Sequence, residues 1–247
     1  MLIAQLPLRR PLFAVLLLAL ALLGPAAFLS PVAHAVDSVR WEQTNLAGLG
    51  YLPSAEIDGV DGPRTHAALK AFQYDNGLDE DGTYGARSDL ALHRQVRAVQ
   101  ARAKVAADGL YGSGTGAAVK NWQGAHGLGA DGVAGPATMS GMGVPRTVWL
   151  TAQGMFAAHG WSVSAQFSCL KNLWNGESDW KVYATNPSSG AYGIPQAPPG
   201  SKMATAGSDW QSDPATQISW GLTYISGRYS TPCGAWSAWQ SRSPHWY

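Results

Sequence analysis

Apolar positions in the last hundred residues recur at helical spacing. Leu170, Leu173 and Trp174 lie seven, four and three residues before Glu177, which places the glutamate on the apolar face of a predicted helix. A second stripe, Ile218, Leu222, Ile225 and Tyr229, follows Asp213 and Pro214, read as an N-cap and a first helical residue. Another face of that helix carries Gln217, Gly221, Tyr224 and Arg228. Shorter helices are expected upstream, such as Ala67 to Tyr74 and Gly116 to Ala125, each bounded by glycine-bearing turns. The chain opens differently, with Arg9 and Arg10, an apolar run from Leu12 to Leu23, and Ala33-His34-Ala35. That order reads as a signal peptide over residues 1–35, and hence as export. A membrane anchor is the competing reading, but the run is short and Pro25 interrupts it.

The first half repeats itself at an offset of 50 residues. Asp58-Gly59, Gly62, Thr65, Ala68, Phe72-Gln73, Gly77-Leu78, Asp81-Gly82 and Gly85 recur as Asp108-Gly109, Gly112, Thr115, Ala118, Trp122-Gln123, Gly127-Leu128, Asp131-Gly132 and Gly135. Chance cannot account for that register. Each unit reads as a glycine turn, an N-capping threonine, a helix, and a second Asp-Gly turn with a short helix. The pattern resembles the peptidoglycan-binding domain type 1 repeat, in tandem across about Asn45 to Gly143. That resemblance implies a cell-wall ligand, although spacing alone names no binding residue, and the repeats could act only as spacers. With the boundary expected near Gly143-Val144-Pro145, residues 36–143 and 144–247 are each long enough to hold a core of their own.

Composition narrows the setting. Without residues 1–35 the chain carries fifteen basic and sixteen acidic side chains, so nothing points to nucleic acid. Cys169 and Cys233 are the two cysteines, and in an exported protein a bridge between them is expected. A thiol nucleophile would need a downstream histidine, and only His245 follows Cys169. The six histidines form no close ligand pair, so no metal and no cofactor is expected. Eight of the eleven tryptophans lie between Trp161 and Trp246. Some must be core, and Trp180, Trp210, Trp220 and Trp239 are candidates to line a sugar cleft.

The segment GES, followed by ATNPSSGAYGIPQ, SDPATQISWGLTYI and SPHWY, resembles the actinobacterial transglycosylase-like branch of the lysozyme-related lytic transglycosylases, over roughly Gly160 to Tyr247. The resemblance implies a small lysozyme-like, α-rich (α+β) catalytic domain after the helical repeats, so that the whole chain is mainly α. It makes Glu177 the sole catalytic carboxylate with Ser178 beside it. It also maps the family's Gly-Leu-Met-Gln segment onto Gly193-Ile194-Pro195-Gln196 and its cleft tyrosine onto Tyr224. The family's Ala-Tyr-Asn element is matched only by Gly234-Ala235-Trp236. The substrate-binding candidates are therefore Ser178, Tyr192, Gln196, Tyr224 and Trp236.

Counting carboxylates favours one acid. From Val144 onward the acidic residues are Glu177, Asp179, Asp209 and Asp213. A conventional glycosidase needs two carboxyl groups flanking the bond, yet Asp179 would point about 200° away from Glu177 on a helix and Asp213 is taken as a cap. Burial would keep Glu177 protonated for use as a general acid; a solvated helix-end glutamate is the bland alternative. The expectation is a secreted, monomeric enzyme, extracellular or wall-associated and with no stable membrane insertion after signal cleavage, that cleaves the MurNAc–GlcNAc bond of peptidoglycan glycan strands as a lytic transglycosylase. A hydrolytic muramidase using Asp209 or an ordered water, and a non-catalytic wall-binding protein, are the alternatives.

Overall fold

The computed structural model describes residues 31–245 and 247. The expected signal segment, residues 1–35, lies outside them except for its last five residues, which open the first helix. The described residues are mainly helical. In the first half, α1 (Pro31–Gly48), α2 (Pro63–Asp75), α3 (Ala86–Ala103), α4 (Ser113–Ala125) and α5 (Pro136–Met142) surround a core that includes Leu46, Leu69, Phe72, Leu92, Val119 and Met139. In the second, α6 (Val148–Met155), α7 (Val163–Ser178), α8 (Pro214–Tyr229) and α9 (Pro232–Gln240) enclose Phe156, Leu170, Leu173, Trp174, Ile218, Leu222 and Ile225. One core ends at Val144 and the other begins at Val148. The two β-bridges, Thr185 with Tyr192 and Tyr192 with Ala197, are isolated. No helix among the described residues is long and apolar enough to cross a membrane.

The repeat rests on a buried glutamine. Gln100 directs its amide nitrogen at Asp108 Oδ1 (2.7 Å), Leu110 O (3.0 Å) and Thr115 Oγ1 (3.0 Å), while its Oε1 accepts from Gly109 N at 2.9 Å. Gln123 does the same to Asp131, Val133, Thr138 and Gly132. Gln43 does so to Asp58, Val60, Thr65 and Gly59, and Gln73 to Asp81, Thr83, Ser88 and Gly82. Each 50-residue unit is therefore two half-units built on one clasp. The N-capping role expected of the threonines is corrected by this arrangement. Gly62 and Gly112 are the N-caps of α2 and α4, whereas Thr65 and Thr115 sit inside the first turn with hydroxyls taken by glutamine. The Asp-Gly dipeptide supplies an acceptor and an N–H to the same amide.

The two cores do not hang apart on a linker. Val182 N donates to Gly77 O at 2.8 Å. Arg146, in the connection, donates to Asp75 Oδ2 (3.2 Å) and Leu49 O (2.8 Å) and lies over the Tyr51 ring at 3.7 Å. Arg94 reaches Ser212 O at 3.1 Å, and Tyr74 meets Trp149 edge-on. Directional bonds with partners on both sides fix the orientation of one half on the other.

Candidate active site

Helix α7 ends one residue after Glu177 because Asp179 and Trp180 turn into the left-handed region, at φ 54° and 60°. The stripe Leu170, Leu173 and Trp174 is fully buried, and it carries the Glu177 carboxyl into the same apolar layer. There Oε1 is buried without a hydrogen-bond partner. Burial pushes the carboxyl up to about 7, and only the Trp239 indole opposes that shift. Gly176 makes the approach of Trp239 feasible: a Cβ there would lie 2.7 Å from the indole ring.

Helix α9 is held against α7 by the Cys169–Cys233 disulfide, with Cα atoms 4.9 Å apart. Cys233 lies in α9, the helix after that of Tyr224, so the covalent tie runs from the helix of Glu177 to the helix of Trp236 and Trp239. Trp236 stacks on Trp239 at 5.0 Å and half-buries its ring against the core; it is Trp239 that meets the acid.

The remaining candidates divide by what their polar atoms do. Ser178 Oγ donates to Ile194 O at 2.7 Å, so it pins α7 to the 193–196 segment. Gln196 donates to Gly193 O (3.0 Å) and Ala184 O (3.3 Å), closing that segment on itself. The Tyr192 hydroxyl donates to Gln211 O at 2.8 Å and the ring meets Trp210 edge-on. All three spend these polar groups on backbone carbonyls, and of them Gln196 lines the cavity beside Tyr224. Tyr224 stacks on Trp220, with centroids 5.4 Å apart and planes 8° off parallel. Both line a cavity of about 140 Å³, with Gln196, Lys202 and Tyr247 among its other walls. Trp180, a cleft candidate from sequence, is 2% exposed and packs edge-on against Trp174; it is core.

Tyr247 was not singled out by sequence. Its hydroxyl accepts from Trp174 Nε1 at 2.8 Å and donates to Pro195 O at 3.0 Å, and it walls the cavity while lying within electrostatic reach of Glu177. Gln217, on the α8 face that also carries Gly221 and Tyr224, is fully buried. Its Oε1 accepts from Ile194 N (2.9 Å) and its amide donates to Trp210 O (2.8 Å) and Val182 O (3.0 Å), so it anchors the cleft floor. A polar residue one position from the Ile218 stripe was the available signal for it.

Among the described residues no other carboxylate is paired with Glu177. Asp179 is the exposed C-cap of α7, Asp213 accepts from Ala215 N at 2.7 Å as the N-cap of α8, and Asp209 Oδ1 accepts from Thr216 at 2.7 Å. Among the described residues no group of three His, Cys, Asp or Glu side chains is arranged to hold a metal. The arrangement thus provides one buried carboxyl that keeps a substantial share of its proton near neutrality, and Tyr247 links its helix to a cavity walled by aromatic faces.

Residues 36–88 and 93–142 each match the family described as a putative peptidoglycan binding domain. The first half is therefore a tandem of such domains, and peptidoglycan is the partner they indicate. No curated protein and no solved structure matches the chain.

Proposed function

We propose that the chain is a secreted peptidoglycan-cleaving enzyme, a lytic transglycosylase that its tandem repeats hold on the wall and in which Glu177 is the sole catalytic carboxyl. The observation that carries this reading is the buried Glu177 carboxyl, pushed by burial up to about 7, on a helix that Tyr247 and Ser178 tie to the segment walling the aromatic cavity. An acid in that state donates a proton at neutral pH. Glu177 would protonate the glycosidic oxygen as the bond from C1 of the MurNAc ring breaks. The substrate's 2-acetamido oxygen supports the cationic C1, and the Glu177 carboxylate then takes the proton of the 6-hydroxyl as O6 bonds to C1. The product is a 1,6-anhydro sugar, and Glu177 ends protonated as it began.

This is favoured over the hydrolytic alternative because an inverting enzyme needs a second carboxylate about 6.5 to 9.5 Å away to activate water, whereas Asp213 caps α8 and Asp209 is an exposed carboxylate that accepts from Thr216 on that same helix. The test is mass spectrometry of products from purified sacculi. Anhydro-muramyl ends are expected; reducing ends alone would make the enzyme a muramidase, and no soluble product would leave a binding protein.

A further inference from the structure

The first repeat contains the same cavity twice. One, of about 320 Å³, is walled by Glu56, Asp58 and Arg64; the other, of about 330 Å³, by Asp79, Asp81 and Arg87. Every wall residue of the first has its counterpart in the second 23 residues on, so the two are one site copied with the half-unit. In both, an arginine at the mouth faces a carboxylate across the opening: Arg64 pairs with Glu56, and Arg87 with Asp79 at 3.5 Å. The second repeat has lost all four groups. Ala106, Gly114, Gly129 and Ala137 stand 50 residues after Glu56, Arg64, Asp79 and Arg87, although the glutamine clasp beneath each position is intact. The ion pairs are therefore not needed to build the half-unit.

Nor do such pairs hold the fold together. Arg64 is 75% exposed and Arg87 57%, and a solvated pair contributes about 0–1 kcal/mol. A ligand that brought its own carboxylate to the planar guanidinium and its own ammonium to the carboxylate would replace the weak solvated pair by two charge-assisted contacts made at once. A neutral sugar ring offers neither group. We propose that these two cavities bind the charged peptide stems of the wall polymer, carboxylate on Arg64 and Arg87 and amine on Glu56 and Asp79, and that the first repeat is the reading unit while the second is its scaffold. This rests on the wall-binding reading of the repeats. The second cavity adjoins the other half of the chain, since Arg87 also lies over the Tyr183 ring at 4.2 Å and Asp79 also meets Lys181 at 3.5 Å. A stem held there keeps its glycan beside the half that carries Glu177.

The experiment is retention of the full chain on purified sacculi, for the wild type, the R64Q/R87Q double variant, and an R102Q/K120Q control that removes the same charge from exposed positions outside both cavities. Circular dichroism establishes that each variant is folded. We expect R64Q/R87Q to weaken retention about tenfold and the control to match the wild type. A synthetic stem tetrapeptide with free carboxylates and one side-chain amine should displace the wild type, whereas an N-acetylglucosamine oligomer should not. Equal retention of R64Q/R87Q and wild type, or displacement by the oligomer and not by the peptide, overturns the assignment while leaving wall binding in place. A wild type that fails to pellet with sacculi overturns wall binding itself, and calorimetry with the tetrapeptide then decides the cavities separately: no heat of binding rejects them.

Discussion

The Tyr247 hydroxyl accepts a 2.8 Å hydrogen bond from the Trp174 indole and donates one to Pro195 O at 3.0 Å. Trp174 lies one turn before Glu177 on α7, and Pro195 lies in the segment that Ser178 and Gln217 also grip. One side chain from the far end of the sequence thus joins the acid-bearing helix to the cleft wall.

Tyr247→Phe keeps the ring and removes both bonds, leaving a buried N–H and a buried carbonyl unpaired. The loss of stability should be about 1–3 kcal/mol, read by denaturant unfolding. Activity on sacculi should fall with it, since the wall next to Glu177 loses its brace; an unchanged turnover would show that the brace does not reach the chemistry.

Glu177→Gln should abolish turnover, because the amide is nearly isosteric yet cannot shuttle a proton. Residual activity within tenfold of wild type would remove Glu177 from the mechanism. In the wild type, activity should fall as pH rises through about 7, where the acid loses its proton. The same shift bears on stability. Glu177 titrates near 7 in the fold, against 4.5 for a free glutamate, so between those values the folded state holds a proton that the unfolded chain has released. Its favourable contribution is complete below 4.5 and is lost as pH rises towards 7. Glu177→Gln should therefore melt higher than wild type at pH 8 and with it at pH 4, by calorimetry. Glu42, 3% exposed and likewise pushed by burial up to about 7, predicts the same pattern for Glu42→Gln.

Gln100→Ala strips partners from Asp108, Gly109 N, Leu110 O and Thr115 at once. A cost of about 3 kcal/mol or more is expected, in line with loss of a buried network. Gln100→Glu should be no better, since a carboxylate cannot donate to Asp108 and repels it. Stability of either variant within about 0.5 kcal/mol of wild type by urea titration would mean that the clasp is not what holds the half-unit.

These clasps also show where the sequence was legible and where it was not. The 50-residue register, the Asp-Gly turns and the α7 and α8 stripes were readable because each is a local pattern with a fixed period. The half-unit was not, because the Gln43 clasp spans fifteen residues to Asp58 while Gln73, Gln100 and Gln123 span eight to theirs, so the spacing breaks in the first copy. Thr65 and Thr115 looked like caps because a threonine before a helical run usually is one, and only a partner from another helix reveals otherwise. The burial of the Glu177 carboxyl was legible from its apolar company. Tyr247 and Gln217 act across 73 and 23 residues, and no local pattern carries that.

Replacing Cys169 and Cys233 together by alanine should lower stability by about 2–5 kcal/mol and reduce activity, because α9 holds Trp239 against Glu177 and the bridge holds α9 against α7. Retention on sacculi should be unchanged. Two titratable thiols in the unreduced protein would refute the bridge, and an unchanged melting temperature after verified reduction would refute its structural weight.

The joint between the halves has its own test, with an internal control. Gly77 lies at φ 65° and Gly127, its counterpart in the second repeat, at φ 71°. Alanine pays a similar conformational penalty of about 1 kcal/mol at either position. Only at Gly77 would the new Cβ meet another group, Trp180 O at 2.4 Å, in the stretch where Val182 N bonds Gly77 O; at Gly127 nothing lies within 4 Å. Gly127→Ala should therefore report the backbone cost alone, and Gly77→Ala the backbone cost plus separation of the two halves. By calorimetry the wild type and Gly127→Ala should melt in one transition, whereas Gly77→Ala should split into two as each core unfolds alone. Limited proteolysis should then cut Gly77→Ala in the 144–148 connection, which Arg146 and Gln95 otherwise hold down. If both variants melt alike, the Gly77 contact does not couple the cores, and the orientation of the halves rests on the other contacts across the joint, those of Arg146, Arg94 and Tyr74 with Trp149 among them.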